Sequence, residues 1–132
     1  MDIALLNLHL EKTIEDPRGK IVIFSHNHKN INIVEIRKGF ARGGHYHDFP
    51  SEHILILGNL EYREEDIVTK KEEIRIISAP STIKAPSNKA HLLIALEDVI
   101  FAEVFSDDYN AINYPKYRQI VEERMKSATS KM

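Results

Sequence analysis

The chain contains no cysteine and no tryptophan. Without thiols there is no disulfide, no thiolate ligand and no cysteine nucleophile, so any metal must be held by histidine and carboxylate. Long apolar runs are missing as well, and nothing approaches the about 20 residues that a membrane-spanning helix needs. Neither charge sign is in excess: 18 basic and 20 acidic residues leave a formal net charge of −2. That balance argues against the basic face of a general nucleic-acid binder. The N-terminal MDIALLNLHLEK has neither a basic lead nor a small-residue cleavage site. It reads as part of the fold, with the cytoplasm as the expected location. Low-complexity tracts, internal repeats and linker-like stretches are absent, so residues 1–132 are read as a single domain.

What is present is a succession of short β-branched and aromatic runs separated by turn residues. Ile3, Leu5 and Leu6 suggest a lead-in strand before the turn Asp16-Pro17-Arg18-Gly19. Strands are then expected at 20–25, 31–36, 40–47, 52–57, 60–64, 67–71, 73–78, 90–96 and 99–105, with a very short one between Pro80 and Lys89. Gly58-Asn59 reads as a hairpin in the reverse of the commoner order. So many short strands imply an antiparallel β architecture, closed or sandwiched. Only the tail changes period. Pro115 suits a first helical turn, and Tyr117, Ile120, Val121 and Met125 follow helical spacing, so 115–127 is expected to be an amphipathic helix covering the sheet or a partner subunit.

The chemistry concentrates in the stretch GFARGGHYHDFPSEHILILG, residues 39–58. Residues two apart on a strand share a face, so His45 and His47 project together and Tyr46 projects away. Glu52 follows across a short loop and is expected on that same side with Ile54 and Ile56, while His53 faces the other way. His91 arrives later, behind Pro86 and Asn88. A buried glutamate and buried imidazoles are costly without partners, and one divalent cation would satisfy all four. A lone His-x-His is more often an ordinary polar pair. His26-Asn27-His28 repeats the spacing in a polar turn without a suitably placed carboxylate and is read as a solvated loop.

These residues resemble the cupin superfamily. The first cupin motif, G-x5-H-x-H-x(3,4)-E-x6-G, is matched by Gly39, His45, His47, Glu52 and Gly58, with the last gap one residue short. The second, G-x5-P-x-G-x2-H-x3-N, is matched at Pro86 and His91, while Pro80, Asn88 and Ala95 depart from it. The resemblance spans about residues 20–106. It implies an all-β, cupin-type double-stranded β-helix (jelly-roll) barrel with the C-terminal amphipathic helix appended. It also implies one divalent metal ion (Zn, Fe, Mn or Ni) on His45, His47, Glu52 and His91, a small-molecule ligand, and a homodimer.

A narrower resemblance links Asp16-Pro17-Arg18-Gly19 and Arg42-Gly43-Gly44-His45-Tyr46-His47 to nucleotide-sugar epimerase and ketoisomerase cupins. It implies Arg18 and Arg42 as phosphate contacts, since a guanidinium fork matches phosphate geometry, and His45 or His47, with His47 preferred, as the proton-transfer candidate. The bland readings are a surface turn residue for Arg18 and a strand-edge charge for Arg42. The presence of Glu52 departs from those ketoisomerases and favours a metal-holding site. Carbohydrate or nucleotide-sugar isomerase or epimerase chemistry is thus the leading expectation. An iron-dependent dioxygenase-type cupin and a non-catalytic sugar- or metal-binding module are its rivals.

Overall fold

The computed structural model describes residues 8–26, 29–105 and 110–130. In chain order these form β1 (Leu8–Asp16), β2 (Gly19–His26), β3 (Lys29–Ile36), β4 (Ala41–Tyr46), β5 (Ser51–Leu57), β6 (Asn59–Asp66), β7 (Glu72–Ser78), β8 (Ser81–Ala85), β9 (Lys89–Ala95), β10 (Val99–Phe105), β11 (Ile112–Asn113) and the helix α1 (Pro115–Ser130). Two antiparallel sheets result. One has the order β1-β2-β3-β10-β5-β8, the other β11-β4-β9-β6-β7. They face each other as a jelly-roll sandwich, one of the two arrangements the strand count allows, and do not close into a continuous barrel. No helix of the described residues is long and apolar enough to cross a membrane.

The core between the sheets is made of Val34, Ile36, Leu55, Leu60, Tyr62, Ile83, Leu93, Val99 and Phe101. A second cluster lies outside the smaller sheet. There Ala41, Ala90, Leu92 and Ile94 pack under Tyr114, Tyr117 and Val121 of the C-terminal segment. The helix therefore does what its spacing implies and covers the outer face of β4 and β9. Consequently β9 is buried on both sides, which is why KAHLLIA reads as a nearly continuous apolar run rather than an alternation. Its odd positions, His91 and Leu93, look inward, and Leu92 and Ile94 meet the helix.

Three local expectations are corrected. Ile67–Lys71 is not a strand but the connection between β6 and β7. Asp66 Oδ1 accepts the backbone N–H groups of Val68 at 2.8 Å and Thr69 at 3.0 Å, and this side-chain turn outweighs the β-branched content of the segment. Gly58-Asn59 is not a hairpin, because β5 and β6 belong to different sheets; the chain turns a corner there, with Gly58 at a φ of 91°. The very short strand expected between Pro80 and Lys89 is longer than expected, running Ser81–Ala85 as an edge against β5. The proposed lead-in at Ile3, Leu5 and Leu6 lies outside the described residues, and the first described strand is β1, paired with β2.

Candidate metal centre

His45 and His47 point inward because of a β-bulge. On β4, Arg42 pairs with the inward Leu93 and Gly43 with the outward Leu92. Regular alternation would then place His45 opposite Ala90 and turn it toward the helix. Instead the register slips between Gly43 and His45, so that His45 pairs with His91. Gly43 and Gly44 absorb the slip at φ values of 98° and 79°. A Cβ on Gly43 would come within 2.9 Å of the His91 carbonyl oxygen, and one on Gly44 within 3.0 Å of the Arg118 backbone nitrogen. Only glycine meets both demands, left-handed backbone and close approach. The bulge thus re-aims the His-x-His pair into the space between the sheets.

There His45, His47 and His91 each offer one ring nitrogen, all lying within 4.8 Å of one another. Tetrahedral metal–imidazole bonds of about 2.1 Å put ligand nitrogens about 3.4 Å apart. Side-chain rotations that bring the nitrogens closer by up to about 1.4 Å would close the three around one ion. The ring centroids of His45 lie 4.9 Å from His47 and 4.8 Å from His91. His47 Nδ1 is 2.6 Å from the backbone carbonyl of Asn110, which makes it the protonated nitrogen and Nε2 the one that would bind an ion. Phe49 stacks on the same ring at 4.8 Å. His91 is 1% exposed; the Lys89 backbone approaches its ring, but neither ring nitrogen reaches a partner in good hydrogen-bonding geometry. Burying such a group unsatisfied costs about 1–3 kcal/mol; a metal ion would satisfy one ring nitrogen and leave the other N–H to the nearby Lys89 backbone.

The electrostatics favour neutral, ligating imidazoles. Burial, reinforced by His47 alongside, pushes His45 down to about 4. Burial and the neighbouring His53, His45 and His47 hold His91 well below the ordinary imidazole range.

Glu52 does not join this group. It is exposed, and the inward residues of β5 are Ser51, His53 and Leu55. The alternation expected for β5 is present, but its phase is opposite. Glu52 shares the outer face with Ile54 and Ile56, and that face is the solvent side. His53 takes the inward position instead, 2% exposed, with its ring centroid 5.3 Å from that of His91. Its Nδ1 lies 3.2 Å from Glu103 Oε1 on the adjacent β10, and its Nε2 has no hydrogen-bond partner. Residues 54–57 are all apolar, so the run gives no cue to which set is inside, and the spacing that sequence reasoning passed over is His-x-His-x5-His.

Arg18 and Arg42 do come together with the histidines. A cavity of about 790 Å3 is lined by both arginines and by His45, His53, His91 and Glu103. Such a volume suits a small metabolite. Arg42 is 7% exposed, so it is no strand-edge charge. Its Nε donates to the Glu35 carbonyl at 3.1 Å and its Nη2 to the Gly19 carbonyl at 3.2 Å. Burial lowers its pKa to about 10, which leaves it cationic at neutral pH. Arg18 grips Asp16, with Nη2 donating to Oδ2 at 2.6 Å. A third arginine, Arg118 of α1, lines the same cavity and donates from Nη1 to the Gly43 carbonyl at 3.0 Å.

A double-sheet jelly roll with three inward histidines beside a cavity that also carries arginines is an arrangement that could hold a metal ion. The comparison with solved structures narrows it. Oxalate decarboxylase from Bacillus subtilis, described with Mn(II) centres, superposes with a TM-score of 0.68 at 19% identity, covering 78% of this chain and 30% of that one. The capsular polysaccharide assembling protein CapF from Staphylococcus aureus gives a TM-score of 0.68 at 13% identity, covering 78% of this chain and 34% of that one. CapF bound to the inhibitor 3-isopropenyl-tropolone gives 0.69 at 15%, covering 78% and 33%. The chain has the cupin fold. It spans about a third of the length of these neighbours. No protein-family model and no curated protein matches it.

Proposed function

We propose that this chain is a metal-binding cupin that takes a small anionic metabolite into the cavity beside its histidines, with carbohydrate or nucleotide-sugar isomerase or epimerase chemistry as the reaction class. The observation that carries the reading is His91, a fully buried imidazole with two unsatisfied nitrogens, set against two further inward imidazoles. His45, His47 and His91 would hold one divalent ion of the Zn, Fe, Mn or Ni group. Such an ion, when bound, supplies polarisation of a substrate carbonyl.

The remaining work falls to the chain itself. Arg42, clamped by two backbone carbonyls, is a pre-set cation, and its Nη1 is the donor we assign to the ligand's anionic group. Arg18 sits beside it with Asp16 partly neutralising the pair. Carboxylate and phosphate both fit such a fork. One neighbour's name, oxalate decarboxylase, is that of an enzyme for a dicarboxylate. His47, with Nδ1 on a carbonyl and Nε2 turned to ligation, serves in this reading as a ligand rather than as the proton-transfer base. The exposed Ile54 and Ile56 on the outer face of β5 are consistent with a homodimer.

Elemental analysis of protein purified without added metal tests the metal assignment, with about one divalent ion per chain expected. A thermal-shift screen of nucleotide sugars, sugar phosphates and dicarboxylates then tests the ligand class, because a ligand stabilises by RT ln(1 + [L]/Kd). A chain that is metal-free, is not stabilised by Zn, Fe, Mn or Ni, and responds to no anionic metabolite would overturn the proposal.

A further inference from the structure

We infer that His53 is a fourth metal ligand of this site and that Glu103 is the carboxylate that positions it, so that an imidazole stands where the cupin motif would supply an acid. The inference rests on the metal-centre reading above and adds to it the identity of the fourth donor.

Three observations converge. First, His53 occupies the inward position of β5 nearest the trio, lines the same cavity and is 2% exposed. Second, its Nε2 is buried without a hydrogen-bond partner, as are both nitrogens of His91. With Nδ1–H toward Glu103, His53 presents an unprotonated Nε2, and His91, whose ring centroid is 5.3 Å away, keeps one unprotonated nitrogen in either tautomer. A cation between them satisfies both. Third, the far side of His53 is built. Glu103 Oε1 stands 3.2 Å from Nδ1, and Glu103 lies in register between His53 and Asn32 across the sheet. A carboxylate at Nδ1 selects the tautomer with Nε2 unprotonated, the form that binds metal. Phe101, edge-on at 5.5 Å, limits the ring's alternatives.

The ring of His53 stands outside the compact group of three, so binding requires it to turn Nε2 toward the trio. Glu103 Oε1, 3.2 Å from Nδ1, is the contact about which the ring would turn. A four-imidazole set carries no ligand charge. Relative to a site with a ligating carboxylate it favours nitrogen-preferring ions such as Zn and Ni over Mn. Glu103, one shell out, supplies the compensating negative charge.

The test uses the whole chain, with wild type, His53→Gln, His53→Glu and Glu103→Gln compared. Zn(II) affinity is measured by chelator competition, and pulsed EPR of the Mn(II)-loaded protein counts the coupled imidazole nitrogens. The expected result is four imidazoles in wild type and three in His53→Gln. Zn affinity should fall at least tenfold in His53→Gln and about 10–100-fold in Glu103→Gln. His53→Glu should bind Mn more tightly relative to Zn than wild type does. The EPR count on wild type stands even if a variant fails to fold. Three imidazoles in wild type, or unchanged affinity in folded His53→Gln, would overturn this inference while leaving the three-histidine reading intact. A wild type that binds no metal would overturn both.

Discussion

Replacing His91 by leucine separates a metal ligand from a core histidine, because the two roles predict opposite changes in stability. His91 is 1% exposed and both ring nitrogens lack partners in hydrogen-bonding geometry. Leucine has a similar volume and no polar atoms, so in metal-free protein the substitution removes an unsatisfied group that costs about 1–3 kcal/mol. Imperfect packing of the new side chain offsets about 1 kcal/mol of that. The metal-free variant should therefore be as stable as wild type or up to about 2 kcal/mol more stable, a rise in Tm of several degrees for a domain of this size. With metal the order reverses. Wild type at a hundredfold excess of ion over Kd gains about 2.7 kcal/mol, and the variant loses most of that gain. Differential scanning calorimetry with EDTA and with Zn(II) gives all four values. A metal-free variant destabilised by more than about 2 kcal/mol, with the Zn(II) shift retained, would show that His91 is held by ordinary packing and would refute the reasoning.

Other outcomes follow from the same geometry. Gly44→Ala forces a Cβ to within 3.0 Å of the Arg118 backbone nitrogen at a φ of 79°, so urea unfolding should show a loss of about 1–3 kcal/mol, with weaker metal binding because the bulge aims His45. Arg42→Met keeps the buried stem but removes the charge, and should abolish stabilisation by anionic ligands in thermal-shift assays while Zn(II) binding persists. The metal-free protein should lose stability on acidification. His45 titrates at about 4 in the fold, against the ordinary imidazole range near 6.5 when unfolded, so the unfolded chain takes the proton first. Stability is then flat above about pH 6.5 and declines toward pH 4 by about 3 kcal/mol, readable as the urea midpoint across that range. For the same reason metal release should lag below pH 6.5 rather than centre on it; release complete by pH 6 would count against a buried site.

The sequence alone carried the class of fold and the three histidines that the structure brings together. Short β-branched runs with turn residues between them require a two-layer antiparallel structure whatever their order, and the Pro115 helix is legible because its period differs from that of the strands. The pairing of His45 and His47 on one face is likewise local, a consequence of backbone pleat. Which face is inside is not local. On β4 it depended on a two-glycine bulge set by the approach of β9 and α1. On β5 it depended on which face met the opposite sheet, where His53 lies against His91 of β9, and which met solvent, and a run of apolar residues at 54–57 leaves that phase unmarked. Hence Glu52, in the motif position, stands in water, and His53 beside it stands in the core. Glu103 and Arg118, from β10 and α1, reach the cavity only because the two sheets and the helix bring distant strands together. Spacing along a chain fixes which side chains can share a face; burial, a property of the assembled layers, decides which of those faces does chemistry.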